Sequence, residues 1–199
     1  MGYSAANKND TPAKTKDCFR IKETVLWEIC SGRKRFHEMS KIFFSSDIVE
    51  FLFLLHKHKV KYLIVGGEAV IYYGHARLTG DIDIFYNRGK ENCLKLFKAL
   101  NEFWDADIPG VSKKEELQKK GEIFQFGVPP NRIDLINEIE KVQFEEAYNN
   151  RIEDKIKHKR ISFRIFYIGL NDLIKNKRAV NRSKDKEDLK FLKQLIKNS

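Results

Sequence analysis

Between Tyr62 and Tyr86 a short apolar strand runs into Gly66-Gly67, continues as a helix-forming stretch, and returns as Asp81-Ile82-Asp83-Ile84. No other part of the chain restricts the fold as tightly. Successive strand side chains alternate faces, so Asp81 and Asp83 share one face while Ile82 and Ile84 point into a core. Two carboxylates held side by side on a rigid strand repel each other unless a cation lies between them. Oxygen donors with no Cys or His partner suit Mg²⁺ or Mn²⁺. Taken alone, Asp-x-Asp also fits a solvent-facing edge strand with two exposed acids.

The glycine pair shifts the balance toward a site. Gly66 and Gly67 stand between a strand and a helix start, where backbone amides point outward and phosphate oxygens can approach closely. Thirteen residues separate Gly67 from Asp81. A phosphate cradle is thereby expected beside a metal-binding pair. Arg77 and Thr79, in the connecting loop, are expected to reach the same phosphates; their plainer roles are a loop salt bridge and a strand cap. Two-metal phosphoryl chemistry calls for a further carboxylate. Asp134 in Arg132-Ile133-Asp134-Leu135-Ile136 is the candidate, because it interrupts an apolar strand where an unpaired charge is costly. Asp105 and Asp107, in an expected loop, carry no such signal.

The last two helices add a second pair. Leu170, Leu173 and Ile174 define one apolar stripe, which Lys177 continues; Leu189, Leu192, Leu195 and Ile196 define another, which Asp185 extends upstream. Both charged residues should therefore point inward. They form either a salt bridge with each other or part of a site, with Lys177 holding phosphate and Asp185 orienting it or a hydroxyl.

The remaining pattern frames these motifs. Helices are expected over 17–30, from Ser46 or Asp47 (with Ile48, Phe51, Leu52, Leu54 and Leu55 inward), over 68–73, over 91–104 (with Leu94, Phe97, Leu100 and Trp104), and over 144–149, 170–180 and 184–197. Strands are expected over 60–65, 81–86, 123–128 and 132–136, the last two joined through Pro129-Pro130-Asn131. Residues 152–158 and 161–167 read as a basic hairpin, and the polar stretch 111–120 as a short helix or loop. Strands and helices alternate without a βαβ rhythm, so the fold class is α+β: a small mixed sheet flanked by helices. The polar residues 1–16 read as a disordered tail and 17–45 as a helical extension, leaving 46–199 as the main domain.

The net charge of +10 is unevenly spread. Residues 1–45 carry 9 basic and 5 acidic side chains, residues 46–150 carry 14 and 17, and residues 151–199 carry 15 and 6. An acidic middle before a basic end fits carboxylate chemistry beside a surface for a polyanion such as RNA. Lysines that merely solubilise the surface are the competing explanation. The longest apolar runs fall far short of the ~18–20 residues of a membrane span. Cys18, Cys30 and Cys93, odd in number and widely spaced, read as free thiols in a reducing cytoplasm.

Leu63-Ile-Val-Gly-Gly followed by Thr79-Gly-Asp-Ile-Asp-Ile resembles the core motif of the DNA polymerase β-like nucleotidyltransferase superfamily. Pro129-Pro-Asn-Arg-Ile-Asp-Leu-Ile, Leu173-Ile-Lys-Asn-Lys-Arg-Ala and Lys184-Asp-Lys-Glu-Asp-Leu resemble its bacterial branch that includes AbiE-type toxins. The resemblance spans roughly residues 46–199, with four motifs in order. It implies Gly66 and Gly67 as the phosphate loop, and Asp81, Asp83 and Asp134 as catalytic ligands of two Mg²⁺ or Mn²⁺ ions. It also implies a site role for Lys177 and Asp185. The expected activity is transfer of a nucleotide from an NTP, such as ATP, to a hydroxyl. RNA, tRNA 3′ ends in particular, is the first acceptor, and an antitoxin protein is an expected partner. A non-catalytic nucleotide- or RNA-binding regulator on the same fold, or an antibiotic-modifying transferase, is the alternative.

Overall fold

The computed structural model describes residues 44–197. The expected tail, the helix over 17–30, and Cys18 and Cys30 lie outside the described residues. Ser45 caps the first helix, α1 (Ser46–Lys57), its hydroxyl accepting from Ile48 N at 3.3 Å. Ile48, Phe51, Leu52, Leu54 and Leu55 are buried, as their helical spacing requires. Strand β1 (Tyr62–Val65) is buried along its whole length. Helix α2 (Gly66–Tyr72) follows without a gap, so both glycines belong to its first turn rather than to a linker ahead of Glu68. Gly66 takes the left-handed φ of +62°, which lets the chain reverse between strand and helix in a single residue.

Strand β2 (Asp81–Tyr86) leads to α3 (Lys90–Phe103), a 3₁₀ turn (Glu116–Gln118), β3 (Ile123–Phe126) and β4 (Arg132–Ile136). The short helix α4 (Phe144–Asn149) precedes the hairpin β5 (Ile152–His158) and β6 (Ile161–Tyr167). Helices α5 (Leu170–Val180) and α6 (Ser183–Lys197) end the described chain. The six strands form one mixed sheet in the order β3-β4-β2-β1-β6-β5, giving the α+β class expected. β2 pairs antiparallel with β1 and parallel with β4, so the two acid-bearing strands are neighbours at the centre of the sheet.

Packing divides the sheet into a dry face and a chemical face. Ile82, Ile84, Ile133 and Leu135 are buried, on the side where α1 and α3 close over the sheet. There Trp104 packs against Phe51 and Phe126, and Tyr86 donates its hydroxyl to Leu117 O at 2.9 Å. Leu117 is the anchor that makes the polar 111–120 stretch a packed turn. In α3 the inward residues are Cys93, Leu96, Ala99 and Leu100, while Leu94 is exposed. The expected Leu100 is buried and Phe97 and Trp104 pack against the core, but the stripe runs on through Cys93, Leu96 and Ala99 rather than Leu94. Ile196 is also exposed, while its neighbour Leu195 in the same turn packs against the core.

Candidate active site

On the opposite face, four side chains form a square. Asp81 and Asp83 of β2 are register partners of Arg132 and Asp134 of β4, and alternation along each strand puts all four on the same side. The Arg132 guanidinium lies among the acids. Its Nε donates to Asp134 Oδ1 at 2.8 Å and its Nη2 to Asp134 Oδ2 at 2.9 Å, a bidentate fork. The same Nη2 donates to Asp81 Oδ2 at 2.6 Å. Asp81 and Asp134 are thus within reach of a single nitrogen. Gln125 of β3 donates to Asp134 Oδ2 at 3.0 Å, and the Thr79 hydroxyl to Asp81 Oδ1 at 2.8 Å.

Asp83 lies beneath the glycine turn. A Cβ at Gly66 would stand 1.8 Å from Asp83 Oδ2, so this approach is open to glycine alone. Burial first, then the charges of Asp81 and Asp134, push the Asp83 carboxyl up to about 6. The Lys177 ammonium and the Gly67 backbone N–H oppose that rise without cancelling it.

Charges alternate along α5, α6 and the loop after α2. Arg77 donates to Asp188 at 2.7 Å, Lys177 meets Asp188 at 2.8 Å and Asp185 at 2.9 Å, and Arg182 meets Asp185 at 3.0 Å. Lys177, Asp185 and Asp188 are buried, so each charge needs its partners. Burial works to raise the Asp185 carboxyl, but hydrogen bonds from Arg182 and Lys177 outweigh it and hold the group below its ordinary value. Three cations against two anions leave this chain net positive, while the square of three acids and one arginine is net negative. The salt bridge expected between Lys177 and Asp185 exists, and both residues still face the site.

Every residue expected from the sequence — Gly66, Gly67, Arg77, Thr79, Asp81, Asp83, Asp134, Lys177 and Asp185 — lines one cavity of about 740 Å³. Arg132, Gln125, Arg182 and Lys184 line it too; Arg182 and Lys184 were expected only as polyanion contacts of the basic end, and Arg132, Gln125 and the Asp188 behind them were not anticipated. Two of these carried a readable signal. Arg132 stands two residues before Asp134 and must share its face, and Asp188 stands three after Asp185 on the same helical stripe. A second cavity, of about 690 Å³, lies past the far ends of β2 and β4 and holds none of these residues.

A family model described as a nucleotidyltransferase of unknown function (DUF6036) matches residues 46–198. The chain belongs to this family. No curated protein and no solved structure matches it. The match opens with α1 and closes with α6, so it takes in both the acidic and the basic sides of the cavity. No helix among the described residues is long and apolar enough to cross a membrane.

The residues present fit a divalent metal. Asp81, Asp83 and Asp134 offer hard oxygen donors on adjacent strands, and the square already attracts a cation, the Arg132 guanidinium. Among the described residues no three His, Cys, Asp or Glu side chains are drawn together as a metal cage; two of these carboxylates close on Arg132 instead.

Proposed function

We propose that this chain moves a nucleotide from an NTP to an acceptor hydroxyl, with Asp81, Asp83 and Asp134 holding Mg²⁺ or Mn²⁺. One observation carries the reading: three carboxylates, two of them in register across adjacent strands, share a cavity with Gly66-Gly67 and a net-positive chain of side chains. Metal held there supplies Lewis-acid activation of the phosphoryl group. Gly66 and Gly67 leave the backbone accessible to the triphosphate, and Arg77, Lys177 and Lys184 favour its negative charge. Thr79 fixes the orientation of the Asp81 carboxylate. In the transfer, the acceptor oxygen bonds to the α-phosphorus while the α–β phosphoanhydride bond breaks. Pyrophosphate departs with the bonding pair, and Asp134 takes the hydroxyl proton. The test is incubation with each α-labelled NTP, Mg²⁺ or Mn²⁺, and total RNA or cell extract. Label in a macromolecule supports the reading; label released only as free nucleoside monophosphate, or left entirely in the NTP, overturns it.

RNA is the acceptor class we favour, because Lys155, Lys157, Lys159, Arg160 and Arg164 are exposed on the β5–β6 hairpin. About three or four phosphate contacts predict a log–log slope of tRNA affinity against salt of roughly −2 to −4. Neutralising Lys155, Lys157 and Lys159 together should flatten that slope. An unchanged slope would leave these lysines as guards of the exposed sheet edge and point to a protein or small-molecule acceptor. Lys177, being buried between two carboxylates, should affect nucleotide binding more than RNA binding. Modification of tRNA would make the chain toxic and require a neutralising antitoxin protein, as in AbiE-type systems. Growth arrest on expression of the wild type, absent for an Asp83→Asn variant, checks that.

A further inference from the structure

Of the four basic side chains that meet carboxylates around this cavity, Lys177 and Arg132 meet them in contrasting ways. Lys177 is sealed between Asp185 and Asp188 with 4% of its side chain exposed, the pattern of a fixed internal ion pair. Arg132 reaches the acid square from its solvent edge. Its side chain is 28% exposed, against 8% for the Asp134 carboxylate it grips. It can therefore withdraw into the cavity without moving any packed core residue. It also engages the oxygens that a metal would need: both of Asp134 and Oδ2 of Asp81. A carboxylate lone pair cannot serve a guanidinium N–H and a metal ion at once. With Arg132 in place the square still carries excess negative charge, which favours a divalent ion over the single charge already there.

We propose that Arg132 is the resident counter-ion of the metal site, and that divalent metal binds in competition with it. This rests on the metal-dependent reading above. The guanidinium relieves the repulsion among Asp81, Asp83 and Asp134 before metal arrives and keeps their carboxylates aligned. Metal entry releases it as a free cation inside a cavity built for phosphates. The competition lowers metal affinity, so Arg132 sets the concentration at which the site loads.

Mn²⁺ titration of the full chain, read by isothermal calorimetry and by the electron paramagnetic resonance of free Mn²⁺, tests this without nucleotide or acceptor. Arg132→Gln should bind Mn²⁺ at least about tenfold more tightly than wild type, as expected when a unit positive charge a few ångströms away is removed. Arg132→Lys, which keeps the charge but loses the fork, should fall between them and remains informative if the Gln variant does not fold. Without metal, Arg132→Gln should melt below wild type, and saturating Mn²⁺ should raise its Tm more than that of wild type. A folded Arg132→Gln or Arg132→Lys variant with wild-type or weaker Mn²⁺ affinity would overturn the proposal and leave Arg132 a structural ion pair. Failure of all three proteins to bind Mn²⁺ would overturn both this inference and the metal-dependent reading. Tighter Mn²⁺ binding in a family of proteins that transfers no label would uphold the counter-ion and remove only the transfer reaction.

Discussion

Asp83→Asn is expected to reduce label transfer by at least about a thousandfold while making the metal-free fold more stable above pH 6. The two effects share one cause. Asp83 is buried beside Asp81 and Asp134, and that environment pushes its carboxyl from 3.8 to about 6. A group whose folded pKa is raised holds its proton more tightly in the native state. Its stabilising contribution is complete below about pH 3.8 and is lost as pH rises through about 6. At neutral pH the ionised carboxylate is therefore a liability to the fold, of at most about 3 kcal/mol for a shift of this size. Asn has nearly the same shape and carries no charge. In chelator, the Tm of the variant should exceed that of wild type by several degrees at pH 7.5, and the two curves should converge near pH 4. Metal should raise the Tm of wild type and do much less for the variant. Full activity in a folded Asp83→Asn protein would remove metal ligation by this residue. A lower Tm at pH 7.5 would mean that the carboxylate is needed by the fold itself.

How much of this could be read in advance depended on whether one strand or helix held the whole signal. Asp81 and Asp83 were legible because alternation along a single strand assigns their face, and Asp134 because a charge interrupts an apolar run. Lys177 and Asp185 were legible because each continues an apolar helical stripe, and both are buried as that placement demands. The wall of the site made by pairing was not legible. That Asp83 stands beside Asp134, and Asp81 beside Arg132, is a matter of the β2–β4 register, which is set by a crossover through α3 and β3 rather than by a local turn. Gln125 looks like an ordinary strand-surface residue until the sheet pairing is known, and although alternation puts Arg132 on the face of Asp134, only the register shows that it also reaches Asp81. Asp188 was hidden by its neighbours in a lysine-rich helix, although its spacing from Asp185 matched the buried stripe. Leu94 failed for the opposite reason: hydrophobicity marked it as core, while the inward face of α3 is held by Cys93, Leu96, Ala99 and Leu100.

Gly66→Ala should cost more than any loss of a single surface contact, and it should cost both stability and activity. Two independent terms add at this position. The backbone sits at φ +62°, where an L side chain is disfavoured by about 1–2 kcal/mol. In addition, the new methyl would stand 1.8 Å from Asp83 Oδ2 and 2.7 Å from its Cγ, so the carboxylate must move. Asp83 cannot swing away freely, since β2 is held by β1 on one side and β4 on the other. A total of about 3 kcal/mol, or a Tm lower by roughly 6–12 °C, is the expected outcome. Label transfer should fall with it even at temperatures where the variant is folded, because displacing Asp83 misplaces a proposed metal ligand. The double-mutant cycle separates the terms. In an Asp83→Ala background the colliding carboxylate is gone, and Gly66→Ala should then cost only the backbone share, about 1–2 kcal/mol. Equal costs in the two backgrounds would show that the turn conformation alone demands glycine. A Gly66→Ala protein with wild-type Tm and wild-type transfer would show that the phosphate loop does not press on Asp83 at all.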